Sequence, residues 1–140
     1  MVAFNKYDCF VQDKGRKVHN LNADTLKIAL TNTAPNAGTH TVLADITEIA
    51  AGAGYSAGGG TVAGTSYTQT AGVAKLAGND VVITASGGTI GPFRYAVLYN
   101  STPAAGPLIG WWDRGAPITL ADGDSFTQDF TDNTSIISET

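Results

Sequence analysis

The apolar positions of this chain fall mostly in short alternating runs, the spacing of strands rather than of helices. The cleanest run covers 25–31. There Leu26, Ile28 and Leu30 take one face, and Thr25, Lys27, Ala29 and Thr31 take the other. This predicts a strand with one buried side and one solvent side. Residues 92–114 predict two more strands joined by a turn-rich loop. In the first, Phe93, Tyr95, Val97 and Tyr99 alternate with Arg94, Ala96 and Leu98. In the second, Leu108, Gly110 and Trp112 alternate with Ile109, Trp111 and Asp113. Neither strand is apolar on one side only, so both sides are expected to be covered. The core covers one, and a terminal segment or a partner covers the other. Trp111 and Trp112 must point opposite ways in a regular strand, so one fills the core and the other needs the second cover.

The rest of the pattern fills in around these strands. Tyr7, Phe10, Val11 and Lys14 predict a short helix over 5–14, capped by Asn5 and ended by a left-handed Gly15. Residues 18–22 read as an extended link, and Leu43, Ile46 and Ile49 favour a helical turn within 41–48. The glycine-rich 52–60 predicts a mobile surface loop with Tyr55 as its anchor. Polar, β-branched 61–70 suits an edge strand. Residues 73–76 and 80–85 predict a hairpin around Gly78 and Asn79. A short strand over 117–120, a turn at Asp122, Gly123 and Asp124, and a closing strand over 125–130 complete the chain. Phe126 and Phe130 share a face of that last strand.

The sum is one domain over 1–140, with an N-terminal arm and helix over about 1–22 and a polar tail over about 131–140. About eight strands without βαβ alternation predict an all-β fold, an antiparallel sandwich of jelly-roll type with one short helix.

Composition sharpens this reading. Only 14% of residues are charged, against about a quarter in an average domain. A neutral surface is cheaper to bury against a partner, because fewer ions are desolvated. The formal charge of −4 argues against a free-standing nucleic-acid binder, which needs a basic face. The charge is uneven. Lys14, Arg16 and Lys17 cluster near the start, where a helix C-terminus favours cations, while 115–140 carries five acidic residues and no Lys or Arg. One cysteine, Cys9, excludes an internal disulfide and reads as a small core residue. No apolar run approaches the ~20 residues of a membrane-spanning helix. The chain starts without a basic-then-apolar leader, so synthesis in a reducing cytoplasm is expected.

Catalytic patterns are missing from the sequence. His19 and His40 stand apart, and Glu48 follows His40 without a second histidine, so no metal set is expected. Asp122, Asp124 and Ser125 are too short a stretch for a calcium loop and read as a β-turn. The loop at 52–60 lacks the following helix and Lys of a phosphate cradle. Cys9 has no nearby base. Asp113 and Arg114 suggest a strand-end ion pair. Exposed Trp111 or Tyr99 would suit stacking on a sugar, which keeps a carbohydrate-binding module as an alternative.

Several strings together resemble a known family. They are Lys-Val-His-Asn-Leu (17–21), Asp-Thr-Leu-Lys-Ile-Ala-Leu-Thr-Asn-Thr-Ala-Pro (24–35), Leu-Ala-Asp-Ile-Thr-Glu-Ile (43–49), Gly-Pro-Phe-Arg-Tyr-Ala-Val-Leu-Tyr-Asn (91–100) and Pro-Leu-Ile-Gly-Trp-Trp-Asp (107–113). The chain resembles the capsid cement, or decoration, proteins of tailed phages, short-tailed ones in particular. The resemblance spans most of 17–130 and carries no catalytic motif. It implies a jelly-roll protein on the virion exterior, with no cofactor. It would bind the outer face of the major capsid protein lattice, act as a homo-oligomer, most simply a dimer, and use neither nucleic acid nor membrane as partner. A tail, tail-fibre or baseplate component is the other virion reading. The resemblance transfers no contact residues. The residue pattern itself nominates Lys14, Arg16 and Lys17 from the basic end, Tyr55 from the glycine loop, and Arg94, Trp111 and Trp112 from the two-faced strands.

Overall fold

The computed structural model describes residues 4–129 and 136–139. These form an all-β, antiparallel, sandwich-like body with one short helix. The elements are β1 (Phe4–Lys6), α1 (Asp8–Gly15), β2 (Leu26–Thr31), β3 (Gly60–Thr61), β4 (Ser66–Thr70), β5 (Val73–Ala77), β6 (Val81–Thr84), β7 (Ile90–Asn100), β8 (Leu108–Leu120), β9 (Ser125–Gln128) and β10 (Ile137–Glu139). The main sheet has the order β1-β8-β7-β2-β3. A second layer holds the pair β6-β9 and the three strands β10-β5-β4.

The inner face of the main sheet packs on that second layer. Leu26, Ile28 and Leu30 of β2, Ala96 and Leu98 of β7, and Trp112 of β8 meet Leu76, Val81, Ile83 and Phe126 in one core. The outer face is not left to solvent. Ala29, Val97, Tyr99 and Leu108 are covered there by Tyr7, Ile46, Leu43 and Cys9. The cover is the chain's own start of α1 and its 3-10 turn Leu43–Asp45. So Ala29 and Thr31, expected to face solvent, are fully buried. The 3-10 turn itself falls where the spacing of Leu43 and Ile46 placed a helical turn.

Three expectations about register need correction. Phe93 leaves the face of Tyr95, Val97 and Tyr99 and joins the inner core with Ala96 and Leu98. The β7–β8 ladder shifts between the pairs Phe93–Ile118 and Tyr95–Asp113, so exposed Arg114, Gly115, Ala116 and Pro117 bulge outward. A second shift, between Leu98–Gly110 and Tyr99–Leu108, leaves Ile109 as an extra residue. Ile109 therefore sits inside with Trp112, and Leu108 turns to the outer face. Third, the hairpin near 78–79 is absent from the described residues. β5 pairs instead with β4 around Ala71 and Gly72, whose φ of 52° and 82° match a primed hairpin turn. β6, the expected partner of β5, pairs with β9.

The N-terminus also differs. Asn5 does not cap a helix; it pairs with Trp111 in β1, and α1 starts three residues later. The left-handed residue past the helix is Lys17, with φ 64°, rather than Gly15. Phe130 and most of the proposed 131–140 tail lie outside the described residues.

Candidate functional site

The seven nominated residues fall in five separate places. Trp112 is 2% exposed and makes an edge-to-face pair with Phe4 at 5.1 Å, in the inner core. Trp111 lies on the outer face, partly buried, its ring 4.7 Å from that of Tyr7. The second cover for this tryptophan is thus the chain's own N-terminal segment. Of the two aromatics proposed for sugar stacking, Tyr99 is buried and Trp111 is only partly exposed.

Tyr55 is a structural hub. Its hydroxyl donates to Glu48 Oε2 and accepts the Leu30 N–H at 2.9 Å. The same Glu48 oxygen accepts the Gly58 N–H at 2.7 Å, and the Tyr99 hydroxyl donates to the Gly58 carbonyl. Burial pushes the Tyr55 hydroxyl far above its ordinary pKa, and the bond to Glu48 adds to the effect. Gly59, at φ 82°, passes so close to the Ile28 carbonyl that a Cβ there would collide with it. The segment expected to be mobile is therefore tied to β2 at several points.

Arg94 and Asp113 form a two-pronged ion pair across β7 and β8, with Nε–Oδ1 at 2.8 Å and Nη2–Oδ2 at 3.1 Å. That bond holds the Asp113 carboxyl below its usual range, helped by the Gly115 N–H. Asp113 was expected to pair with its neighbour Arg114. Alternation sends Arg114 elsewhere, and its guanidinium lies 4.9 Å from the Phe126 ring centre.

The basic cluster borders a groove. Lys14 and Lys17 line this space of about 400 Å³ together with His19, Asn20, Leu21, Asn22 and Tyr67. Arg16 is exposed beside it but does not line it. Two links hold the groove together. The Val18 N–H returns to the Asp13 carbonyl at 2.9 Å, folding the chain back after α1. Asn22 Oδ1 accepts the Tyr67 N–H at 3.1 Å, tying the 19–22 segment to β4. His19 is buried against Phe10, with ring centroids 5.4 Å apart. Asn100 Oδ1 accepts the Thr102 N–H, which fixes that amide so that Nδ2 faces His19 Nδ1 at 3.1 Å and Asp24 Oδ2 at 2.7 Å. His19 Nδ1 is then an acceptor, and the proton of the neutral ring sits on Nε2. Burial lowers the His19 pKa, against the pull of Asp13 and Asp24.

Several other ionisable groups serve the fold. His40 Nδ1 accepts the Asn36 N–H, and Asp45 accepts the Thr41 and Val42 N–H groups, which lowers its pKa. Asp122 and Asp124 accept the Gly87 and Ala121 N–H groups in the expected turn. Cys9 is partly buried and its thiol pKa is raised, chiefly by desolvation and then by Asp13. Among the described residues no group of three His, Cys, Asp or Glu could hold a metal ion. No helix there is long and apolar enough to cross a membrane.

The groove was only half legible beforehand. Lys14 and Lys17 were nominated, but His19, Asn20, Asn22 and Tyr67 were not. Tyr67 joins across a gap of 45 residues from Asn22, and no local spacing announces that contact. No protein-family model, curated protein or solved structure matches this chain.

Proposed function

We propose that this chain is a structural protein of a tailed-phage virion, a capsid cement protein that clamps the outer face of the major capsid protein lattice. The observation that carries this reading is where its carboxylates go. Asp24, Asp45, Glu48, Asp113, Asp122 and Asp124 each accept hydrogen bonds from the chain itself. These groups are engaged with the chain's own turns and loops, and only 14% of all residues are charged. So low a charge suits broad contact with another protein.

The resembling strings support it further. Strings 24–35, 43–49, 91–100 and 107–113 fold into one contiguous unit: β2, the 3-10 cover, β7 and the start of β8. The ladders also suit a jelly roll. β7 pairs with β8, β6 with β9 and β5 with β10, each pair enclosing the last, as in a long hairpin folded over on itself. The outer sheet face is no longer available as contact material, because the chain covers it. The attachment surface is instead placed on β4, the last strand of its sheet among the described residues, whose Thr68, Gln69 and Thr70 are exposed. Exposed Val82 on β6 adds an apolar contact. Attachment as a homodimer over two-fold joints of the lattice would give each dimer two footholds.

Particles assembled without this protein are expected to keep their shape but release DNA at a lower temperature. Adding the purified protein should restore the resistance. Equal heat stability with and without it, or a location in the tail, would overturn the proposal.

A further inference from the structure

We propose that the groove between the end of α1 and β4 binds an acidic sugar, a pyranose ring that carries a carboxylate. The argument starts from the direction of its polar groups. Asn20 Oδ1 is taken by the Asn22 N–H at 3.3 Å, and Asn22 Oδ1 by the Tyr67 N–H at 3.1 Å. Both amides are thereby oriented by the backbone, each oxygen holding one N–H and each Nδ2 group left as the donor. His19 differs. Its Nδ1 accepts from Asn100, and its Nε2–H has no partner among the described residues although the side chain is only 8% exposed. That nitrogen is too enclosed for a ligand oxygen to reach, so His19 serves as a wall of the groove rather than as a donor to its contents.

The groove therefore offers donors from three residue positions: Lys17, Asn20 and Asn22. Lys14 adds a second ammonium at the rim. The acidic groups that act on His19 are Asp13 and Asp24. Asp24 Oδ2 already serves the Asn20 N–H and Asn100 Nδ2. A site made of donors and cations selects a ligand rich in acceptors and negatively charged.

The walls narrow the class. They are mostly apolar, from Leu21, Tyr67 and the lysine stems, and a bare inorganic anion would leave them unfilled. The volume of about 400 Å³ lies in the range of small-ligand pockets and accommodates a six-membered ring. A pyranose has an apolar face for Tyr67 and Leu21 and a rim of oxygens for the two amides. Its carboxylate meets Lys17. This inference does not depend on attachment to a shell, and it is tested on the isolated chain.

The experiment titrates the purified full chain with glucuronate, glucose, acetate and phosphate, read by calorimetry and by amide NMR shifts. Glucuronate should bind saturably, with shifts at Asn20, Asn22 and Tyr67. Glucose should bind at least about fivefold more weakly, and acetate and phosphate should not saturate, because charge and ring are both read. Lys17→Gln should weaken glucuronate about threefold, the scale of one exposed charge, while Arg16→Gln should leave it unchanged. Asn22→Asp keeps the acceptor for the Tyr67 N–H but replaces the donor with a carboxylate oxygen, so it should abolish binding while leaving the thermal midpoint near wild type. No saturable binding of glucuronate would overturn the proposal. So would glucose or phosphate binding as tightly, or an Asn22→Asp chain that binds normally.

Discussion

The two faces of the main sheet are buried by different means. The inner face meets mainly other strands, and its core is largely apolar, with Trp112 beside Phe4 and the hydrogen-bonded Tyr55 hydroxyl as a polar exception. The outer face meets irregular chain, the first residues of α1 and the 3-10 turn. That second cover brings polar atoms with it. The Tyr99 hydroxyl finds the Gly58 carbonyl, Thr31 Oγ1 donates to the Thr47 carbonyl, and the Tyr7 hydroxyl is buried without a partner among the described residues. Strand-on-strand packing hides side chains whose polar backbone is already paired. A cover made of loops must satisfy its polar groups one by one, and here it leaves one unsatisfied.

The adjacent tryptophans test this difference most sharply. Trp112→Ala should cost about 3–5 kcal/mol in urea unfolding, as for a large aromatic removed from a packed core. Trp111→Ala, on the thinner cover, should cost about 1–2 kcal/mol, since only part of the ring and its contact with Tyr7 are lost. Equal costs would mean that the two faces are equally well packed.

Tyr55→Phe removes the hydroxyl that serves Glu48 and the Leu30 N–H together. It should cost about 1–3 kcal/mol, because two buried partners lose their bond. Hydrogen exchange at Leu30 and Gly58 should rise in the same variant. Unchanged exchange would show that the loop is held by packing alone.

Acid should act through His19. Its folded pKa lies below the ordinary 6.5 because burial disfavours the charged ring. Below pH 6.5 the unfolded chain binds a proton that the folded chain resists, so stability is full above that pH and falls as pH drops toward the folded pKa. His19→Gln should flatten this part of the profile. The Asp113 and Asp45 carboxyls, whose pKa values are lowered, lose their contributions in a separate and more acidic window.

The smallest expected effect has the opposite sign. Tyr7→Phe deletes the unpartnered hydroxyl and should leave stability unchanged or raise it by up to about 1 kcal/mol. A loss above that size would mean that the hydroxyl is satisfied in solution, for instance by water.

What could be read from the sequence follows the same division. Alternation found β2, β7 and β8, and the two-sided apolarity of β7 and β8 correctly signalled two covers. It failed wherever the ladder changed step. Ile109 is a single extra residue on one strand and inverts the facing on its far side, whereas the four residues 114–117 leave Ile118 and Leu120 on the inward face of Trp112. The hairpin was misplaced because Gly78 and Asn79 look like turn residues, whereas Ala71 carries no such mark yet sits at φ 52°. Tyr55 was legible as an anchor, since one aromatic among glycines has little else to do. Its partners Glu48 and Tyr99 were not, because a hydrogen bond between distant segments leaves no local pattern.

The nested ladders set the order in which the chain can fold. The β7–β8 hairpin joins neighbouring segments and closes over a short loop, so it can form first. β6 and β9 can then zip beside it at little further entropy cost, although Val81 and Gln128 are far apart in sequence. β5 and β10, with Leu76 opposite Ile137, come last and only after the inner pairs have brought them together. Substitutions at the tip of the nest, near Leu98 and Gly110, should slow folding, whereas those on β10 should mainly speed unfolding.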